Sequence, residues 1–369
     1  MSFYLLDIHL KPTYGLCNQL YSIAGMCRYS IKHNIKYLFL NKFLKEINTE
    51  NYCLISDIID IPRTNIFLQT YGIVLFDSYN CHFEIISFKY GNEKFNINVT
   101  NAAVPLFKNE NCFIINRSFN LTTAFGDPYK HFERMYGFTP SGDKYLYIDY
   151  KIDDIIFKNA FKINKDGFTE NGNDIVINHN FNFKNDTVFQ PPLGYNDGSE
   201  VFINILRNIV FHESLLKKAN EYVFKNIDTT KNVNVIHLRL EDDAIACWSK
   251  ENNYDDPTRY KTDVSNKYIS LIDKYIEKND TTVIICYDYN NSVVEYMEKN
   301  NYRMIKTPKL DSNRDVSAII DMVIGQWCNR IYICVYESSF SFTLLTRIYN
   351  KSNCKLLMFE LNNLNNDHF

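Results

Sequence analysis

Three short stretches of this chain gather residue types that bind anions. The first is His237-Leu238-Arg239-Leu240-Glu241-Asp242-Asp243, at the end of the apolar, β-branched run Asn234–Leu240. The two-residue period of a strand sends Val235, His237 and Arg239 to one face and Ile236, Leu238 and Leu240 to the other. An arginine enclosed in this way is costly unless it is paired. Its partner is either a carboxylate, with Asp288 and Asp321 as candidates, or a ligand phosphate, which suits the planar guanidinium fork. His237 is either a core histidine satisfied by its neighbours or a ligand contact. Glu241 to Asp243 are either a solvated loop or the source of a general base, Asp242 or Glu241. The second stretch is Glu337-Ser338-Ser339-Phe340-Ser341. Two hydroxyls and the first backbone N–H groups of a helix make an anion site, although a serine cap without a ligand accounts for the same residues. The third is Gly15-Leu16-Cys17-Asn18-Gln19-Leu20. Gly15 permits close backbone approach, and Asn18 and Gln19 fall at a helix start. An ordinary turn capped by Asn18 is the alternative. The stretch lacks the second and third glycines of a dinucleotide fingerprint. A lesser candidate is Asp321, among Ile320, Val323 and Ile324. It is either a plain helix acid or an acceptor for the N1–H and N2–H₂ of a guanine.

These stretches need strands that end where they begin. Phe3–His9 reads as a strand and Pro12 with Gly15 as a turn. Leu20, Ile23, Ala24, Cys27 and Ile31 recur at helical spacing over Asn18–His33, and Tyr37–Leu40 is a second strand. That is a βαβ opening, which favours a parallel sheet. In the C-terminal half, helices are expected over Val201–Phe224 (two of them), Ser265–Lys278, Ser292–Lys299, Asp315–Cys328 and Ser339–Tyr349. Strands are expected over Asn234–Leu240, Thr282–Tyr287, Tyr302–Lys306, Arg330–Val335 and Lys355–Phe359. This alternation is the pattern of a doubly wound sheet, which binds ligands at the carboxyl ends of its strands. Between Asn48 and Asn196 the short apolar runs Ile66–Leu68, Ile73–Phe76, Cys112–Ile115, Tyr145–Ile148 and Ile175–Ile177 read as strands without a legible order. Gln190–Gly198, with its Pro-Pro and two glycines, reads as a connection between domains. The expected division is 1–198 and 199–369.

Composition removes several classes. The chain has 369 residues, too many for one ordinary core. A net charge of −3 without a basic run argues against nucleic-acid or membrane-surface binding. The start has no signal-peptide pattern, and no apolar stretch approaches the ~18–20 residues of a membrane span. The 10 cysteines include no CxxC pair, so they read as buried thiols in a cytoplasmic protein. GxSxG, HExxH and phosphate-loop motifs are missing. No Asp-x-Asp pair stands at a strand end to hold a metal on a nucleotide diphosphate; Asp153-Asp154 and Asp255-Asp256 are adjacent pairs in loops.

Taken in order, the three stretches resemble motifs of the fucosyltransferase superfamily, in particular its protein O-fucosyltransferase and plant O-fucosyltransferase-like branch. That family has an early loop ending in Asn-Gln, similar to Gly15–Gln19, and a strand ending in His-Leu-Arg before acids, similar to His237–Asp242. It has a helix with Asp-Met that ends in Cys before Ser-Ser-Phe-Ser, similar to Asp321-Met322, Cys328 and Ser338–Ser341. Asp288 falls where the family has a strand-end Asp. The likeness covers roughly Asn204 to Lys355 and the first ~40 residues. Cys17 stands where a glycine is common, and Leu240 where many relatives have a second Arg.

The resemblance implies a GT-B-like α/β fold, with two Rossmann-like doubly wound domains facing across a cleft. The N-terminal domain would take the acceptor and the C-terminal one the nucleotide sugar. It implies inverting, metal-independent transfer of fucose from GDP-fucose, a co-substrate, to a hydroxyl of a glycan or protein, with no cofactor. Arg239 would hold the β-phosphate and the leaving oxygen, and His237 the donor ribose or phosphate. Asp321 would read guanine. Ser338, Ser339, Phe340 and Ser341 would line the phosphate and base site. Asn18 would face the donor from the other domain, with Gly15, Leu16 and Cys17 beside it and Asp288 on the donor side. The alternatives are a related transferase with another donor, such as a UDP-sugar, and a non-catalytic nucleotide- or sugar-binding relative.

Overall fold

A computed structural model describes residues 5–8, 15–40, 43–44, 51–77, 82–109, 112–152, 155–170, 175–178, 199–311, 313–348 and 353–361. The chain is mixed α/β and divides into two compact units. One comprises Met1–Leu38, Lys42–Leu75 and Phe189–Phe369, the other Phe39–Asn41 and Phe76–Val188. This division differs from one at residue 198, because the first helix groups with the C-terminal half. Gln190–Gly198 lies outside the described residues.

The opening follows the apolar spacing: β1 (Leu5–Ile8), α1 (Leu16–His33) and β2 (Tyr37–Leu40). With β3 (Val74–Asp77) the strands stand in the order β1-β2-β3. Ile66–Leu68, expected as a strand, is instead the end of the helix Ile61–Leu68. Asp60 caps that helix at the Arg63 N–H and Pro62 stands in its first turn, so local start signals outweigh a three-residue apolar run.

The second unit is built on an antiparallel sheet. β4 (Phe83–Gly91), β5 (Asn96–Asn98), β6 (Lys144–Ile152) and β7 (Ile155–Ile163) lie in the order β7-β6-β4-β5. Strict alternation along β6 buries Leu146, Ile148, Tyr150 and Ile152 on one face, which fixes the register, since a one-residue slip would expose them all. The turn from β4 to β5 requires glycine. Gly91 has φ +142°, and a Cβ there would stand 2.2 Å from the Phe95 carbonyl oxygen.

The C-terminal part of the first unit runs α2 (Glu200–Asn208), α3 (Glu213–Asn226), β8 (Val233–His237), α4 (Asp242–Glu251) and α5 (Pro257–Tyr275). It continues with β9 (Thr281–Ile285), α6 (Ser292–Lys299), β10 (Met304–Lys306), α7 (Arg314–Gly325), β11 (Ile331–Val335), α8 (Ser339–Ile348) and β12 (Lys355–Phe359). The five strands form one all-parallel sheet in the order β10-β9-β8-β11-β12. Every residue of β8, β9 and β11 is buried, as expected for unbroken β-branched runs covered on both faces. Chain order reverses between β8 and β11, so their carboxyl ends flank the topological switch point where such sheets bind ligands.

The expected alternation on β8 is present, since Ile236, Leu238 and Leu240 share one core cluster with Tyr260, Val264 and Tyr268 of α5. The strand nevertheless ends at His237, short of Leu240. There the Tyr268 hydroxyl donates to the His237 carbonyl at 2.7 Å and accepts the Arg239 N–H at 3.4 Å, taking those main-chain groups out of the ladder. The acids expected in a loop belong to a helix: Glu241 is the N-cap residue of α4, and Asp242 and Asp243 fill its first turn, where carboxylates complement the helix dipole.

Candidate functional site

The end of β8 and the start of α8 meet across the switch point. The His237 Nδ1 lies 2.8 Å from the Ser341 Oγ, and its ring packs on Phe340 with centroids 4.5 Å apart. His237 is fully enclosed, and burial, helped by the Arg239 charge, pushes its pKa down to about 3. It is therefore neutral near pH 7, and a protonated His237 is not available as an acid there.

Arg239 lies two residues past the strand, with 23% of its side chain exposed. The acids expected beside it, Asp288 and Asp321, are not its partners. Its Nη1 stands 2.8 Å from Glu241 Oε2 and its Nη2 3.4 Å from Asp243 Oδ2. The first contact is close yet misaligned, because that Glu241 oxygen is buried without a hydrogen bond. It holds charge against charge and leaves the guanidinium fork less committed than a bidentate pair would. Asp242 is elsewhere, paired with Lys261 at 2.9 Å, its side chain 96% exposed.

At the α8 start, Ser338 is buried and its Oγ accepts the Ser341 N–H at 3.4 Å, which makes it a cap. Ser341 is fully buried. The Ser339 carbonyl accepts the Tyr21 hydroxyl at 3.2 Å and the Thr343 hydroxyl at 2.8 Å, so this turn is held from α1 and from its own helix.

At the α1 start, Gly15 rather than Asn18 is the N-cap residue, in extended conformation and without a side-chain cap. The cap comes from a residue 299 positions away: Asp315 Oδ1 accepts the Leu16 N–H at 3.0 Å. A Cβ on Gly15 would lie 3.6 Å from that oxygen, an ordinary contact. The Leu16 N–H is therefore not open to an anion. Cys17 is buried, which pushes its thiol up to about 12, against the pull of a Thr343 hydrogen bond and of the Arg347 and Arg239 charges. Asn18 is half-buried, and its carbonyl accepts the Ser22 hydroxyl at 2.9 Å. α1 packs on α2, α7 and α8, so Asn18 belongs to the same compact unit as β8 rather than to another.

Asp321 lies on α7. Burial raises its carboxyl to about 7 despite a hydrogen bond with Thr307. Residue accessibility is intermediate, while the carboxylate oxygen Oδ1 is buried without a hydrogen bond. The side chain is enclosed at its tip, where the proton is held. Asp288 is exposed and accepts the Asn290 N–H at 2.9 Å. It lines a cleft of about 300 Å³ with Leu238, Leu240 and Glu241, and His237 and Ser341 are not part of that lining.

Sequence reading missed three positioning residues. Tyr268 pins the β8 exit and Asp315 caps α1. Arg347 donates to the Leu206 and Ile209 carbonyls at the end of α2, at 3.1 and 2.9 Å; burial lowers its pKa to about 10, and it remains charged at neutral pH. A cation on a helix C-terminus suits the dipole. The one local signal for Arg347 is a basic residue in the last turn of α8.

No protein-family model and no curated protein matches the chain. Among solved structures it is similar to POFUT1 in complex with GDP-fucose, with TM-score 0.48, 10% identity and coverage of 97% of both chains. It is similar to NodZ alpha-1,6-fucosyltransferase soaked with GDP-fucose, with TM-score 0.45, 10% identity and coverage of 94% of this chain and 93% of that one. The selenomethionine form of fucosyltransferase NodZ from Bradyrhizobium matches with TM-score 0.45, 10% identity and coverage of 93% and 92%. The chain is thus similar to fucosyltransferases over nearly its whole length, at a distance that leaves its chemistry to be argued from its own residues.

Proposed function

We propose that the chain is a glycosyltransferase that moves fucose from GDP-fucose to an acceptor hydroxyl, with inversion and without a metal. The observation that carries this reading is the pairing of His237 with Ser341 at 2.8 Å. It brings the Arg239 loop and the serine-rich start of α8 to one switch point, where a diphosphate is held by a guanidinium and helix N–H groups together. The donor is assigned from the motif resemblance, with Asp321 as the guanine acceptor and Asn18 near the donor sugar.

As the acceptor hydroxyl attacks the anomeric carbon, charge develops on the leaving phosphate oxygen. Arg239 and the α8 start stabilise it in place of a metal. The phosphate draws Arg239 into competition with Glu241 and Asp243, which weakens their hold on it. His237 stays neutral, shares a hydrogen bond with Ser341 at Nδ1 and offers its other ring nitrogen to the ribose or phosphate. Glu241 is better placed as the base than Asp242, which is exposed to solvent beside Lys261. The free cysteines fit a cytosolic setting; among the described residues no helix is long and apolar enough to cross a membrane.

A thermal-shift panel of GDP, UDP and ADP, with and without EDTA and magnesium, tests the reading, since a ligand that binds the folded state raises Tm. The expected result is a GDP shift that EDTA leaves unchanged, with GDP-fucose turnover alongside. A UDP shift in its place removes the guanine assignment. GDP binding without turnover on any acceptor or water makes the chain a binding module.

A further inference from the structure

The two faces of β8 lead to different places. His237 faces Ser341 and Phe340, whereas Leu238 and Leu240 line the cleft of about 300 Å³ together with Glu241, Tyr287, Asp288 and Asn290. The cleft is near the lower end of small-molecule sites, ~300–1,000 Å³, and suits one ring rather than a whole nucleotide sugar. Its rim carries Tyr287, 52% exposed. The Lys309 ammonium and the Arg314 guanidinium lie 4.9 and 4.8 Å from the centre of that ring. Asp288 and Asn290 are exposed beside it. Around the cleft the acids Glu241, Asp242, Asp243 and Asp288 are balanced by Lys261 and Arg314 of its lining, by Lys309 over Tyr287 and by Arg239, which pairs with Glu241 and Asp243. A cleft without net charge suits a neutral ligand. The part of the half-exposed Tyr287 side chain that the two cations leave open, next to planar hydrogen-bonding side chains, matches a neutral sugar, which has a C–H face and a hydroxyl edge.

We propose that this cleft is an acceptor subsite for a neutral saccharide ring, seated against Tyr287. The proposal rests on the transferase reading and names its acceptor class. It moves the acceptor ring and Asp288 to a cleft of the C-terminal strands, where the resemblance implied an acceptor on the N-terminal domain and Asp288 on the donor side. Glu241 and Asp243 connect the two sites, since each lines the cleft and each pairs with Arg239. A hydroxyl bound in the cleft is then next to the group that holds the leaving oxygen.

The test is saturation-transfer NMR on the full chain with GDP present. The probes are galactose, N-acetylglucosamine and lactose, against glucuronate and a neutral threonine peptide. Tyr287→Ala and Tyr287→Phe are measured beside the wild type, with a GDP thermal shift on each. The expected result is saturation transfer to at least one neutral saccharide that falls at least fivefold in Tyr287→Ala and survives in Tyr287→Phe, while the GDP shift is the same in all three. Silence from every neutral saccharide, or transfer to glucuronate or the peptide instead, overturns the proposal. So does loss of the GDP shift in Tyr287→Ala, which would give the cleft to the nucleotide. A Tyr287-dependent saccharide signal in a protein without any GDP shift keeps the subsite and removes the transferase reading.

Discussion

Two helix starts in this chain carry similar promise in sequence and differ in structure. α1 begins after Gly15 and receives the Asp315 carboxylate on its Leu16 N–H. α8 begins after Ser338, a neutral hydroxyl cap, beside His237 and Phe340. An acid at a helix start already satisfies the positive end of the dipole and repels a second anion. A hydroxyl cap satisfies one N–H and adds no charge. The difference assigns the phosphate to the α8 start and makes the α1 start a strut that holds Cys17 and Asn18 in place.

The largest effect expected from this contrast is at Arg239. Arg239→Ala should lower kcat by ~10²–10³, as removal of a charge-stabilising donor does, with an unchanged fold by circular dichroism. Turnover near wild type in the folded variant would break the assignment. The next is pH. Burial raises Asp321 to about 7, so the folded state holds that proton more tightly than the unfolded chain at 3.8. Its stabilising share is complete below 3.8 and is lost as pH rises towards 7. His237 runs the other way: depressed to about 3 from 6.5, it contributes fully above 6.5 and loses that share as pH falls. Between 3.8 and 6.5 the two slopes oppose each other. Asp321→Asn should therefore make Tm climb more steeply with pH in that window, and it should flatten a GDP affinity that in the wild type strengthens as pH rises through about 7. Unchanged profiles in Asp321→Asn would remove that acid from both roles. The smallest effect is at Asp315. Asp315→Asn keeps an oxygen for the Leu16 N–H and loses the charge, and GDP affinity should change less than about twofold. Severalfold tightening, read by calorimetry, would mean that the phosphate sits at α1 after all. Asp315→Ala leaves a buried N–H unmet and should cost about 1–3 kcal/mol of stability, read by denaturant unfolding.

Much of the α/β core was legible because unbroken runs such as Val283–Ile285 and Ile331–Val335 are what a doubly covered parallel strand needs. The direction of His237 followed from a period of two. The site was legible as pieces: Arg239, Ser338 and Ser341 are recognisable by type, yet what each touches is not. Asp315 reaches Leu16 across 299 residues, and Tyr268 ends β8 from a neighbouring helix; a contact of that separation leaves no local pattern. Asp288 and Asp321, expected as acids that could pair with Arg239, lie at other elements, whereas Arg239 pairs two and four residues along its own chain. The antiparallel sheet of the second unit was hidden because its long strands Phe83–Gly91, Lys144–Ile152 and Ile155–Ile163 mix polar with apolar residues and show only short apolar runs, and Ile66–Leu68 was too short for its apolar run to tell helix from strand.

The claim that Arg239 grips the β-phosphate is tested most directly by calorimetric titration of GDP and GMP into the wild type and Arg239→Ala. The two nucleotides share guanine, ribose and the α-phosphate. The account predicts that Arg239→Ala weakens GDP at least tenfold more than GMP. Equal weakening of both, or none, would contradict it.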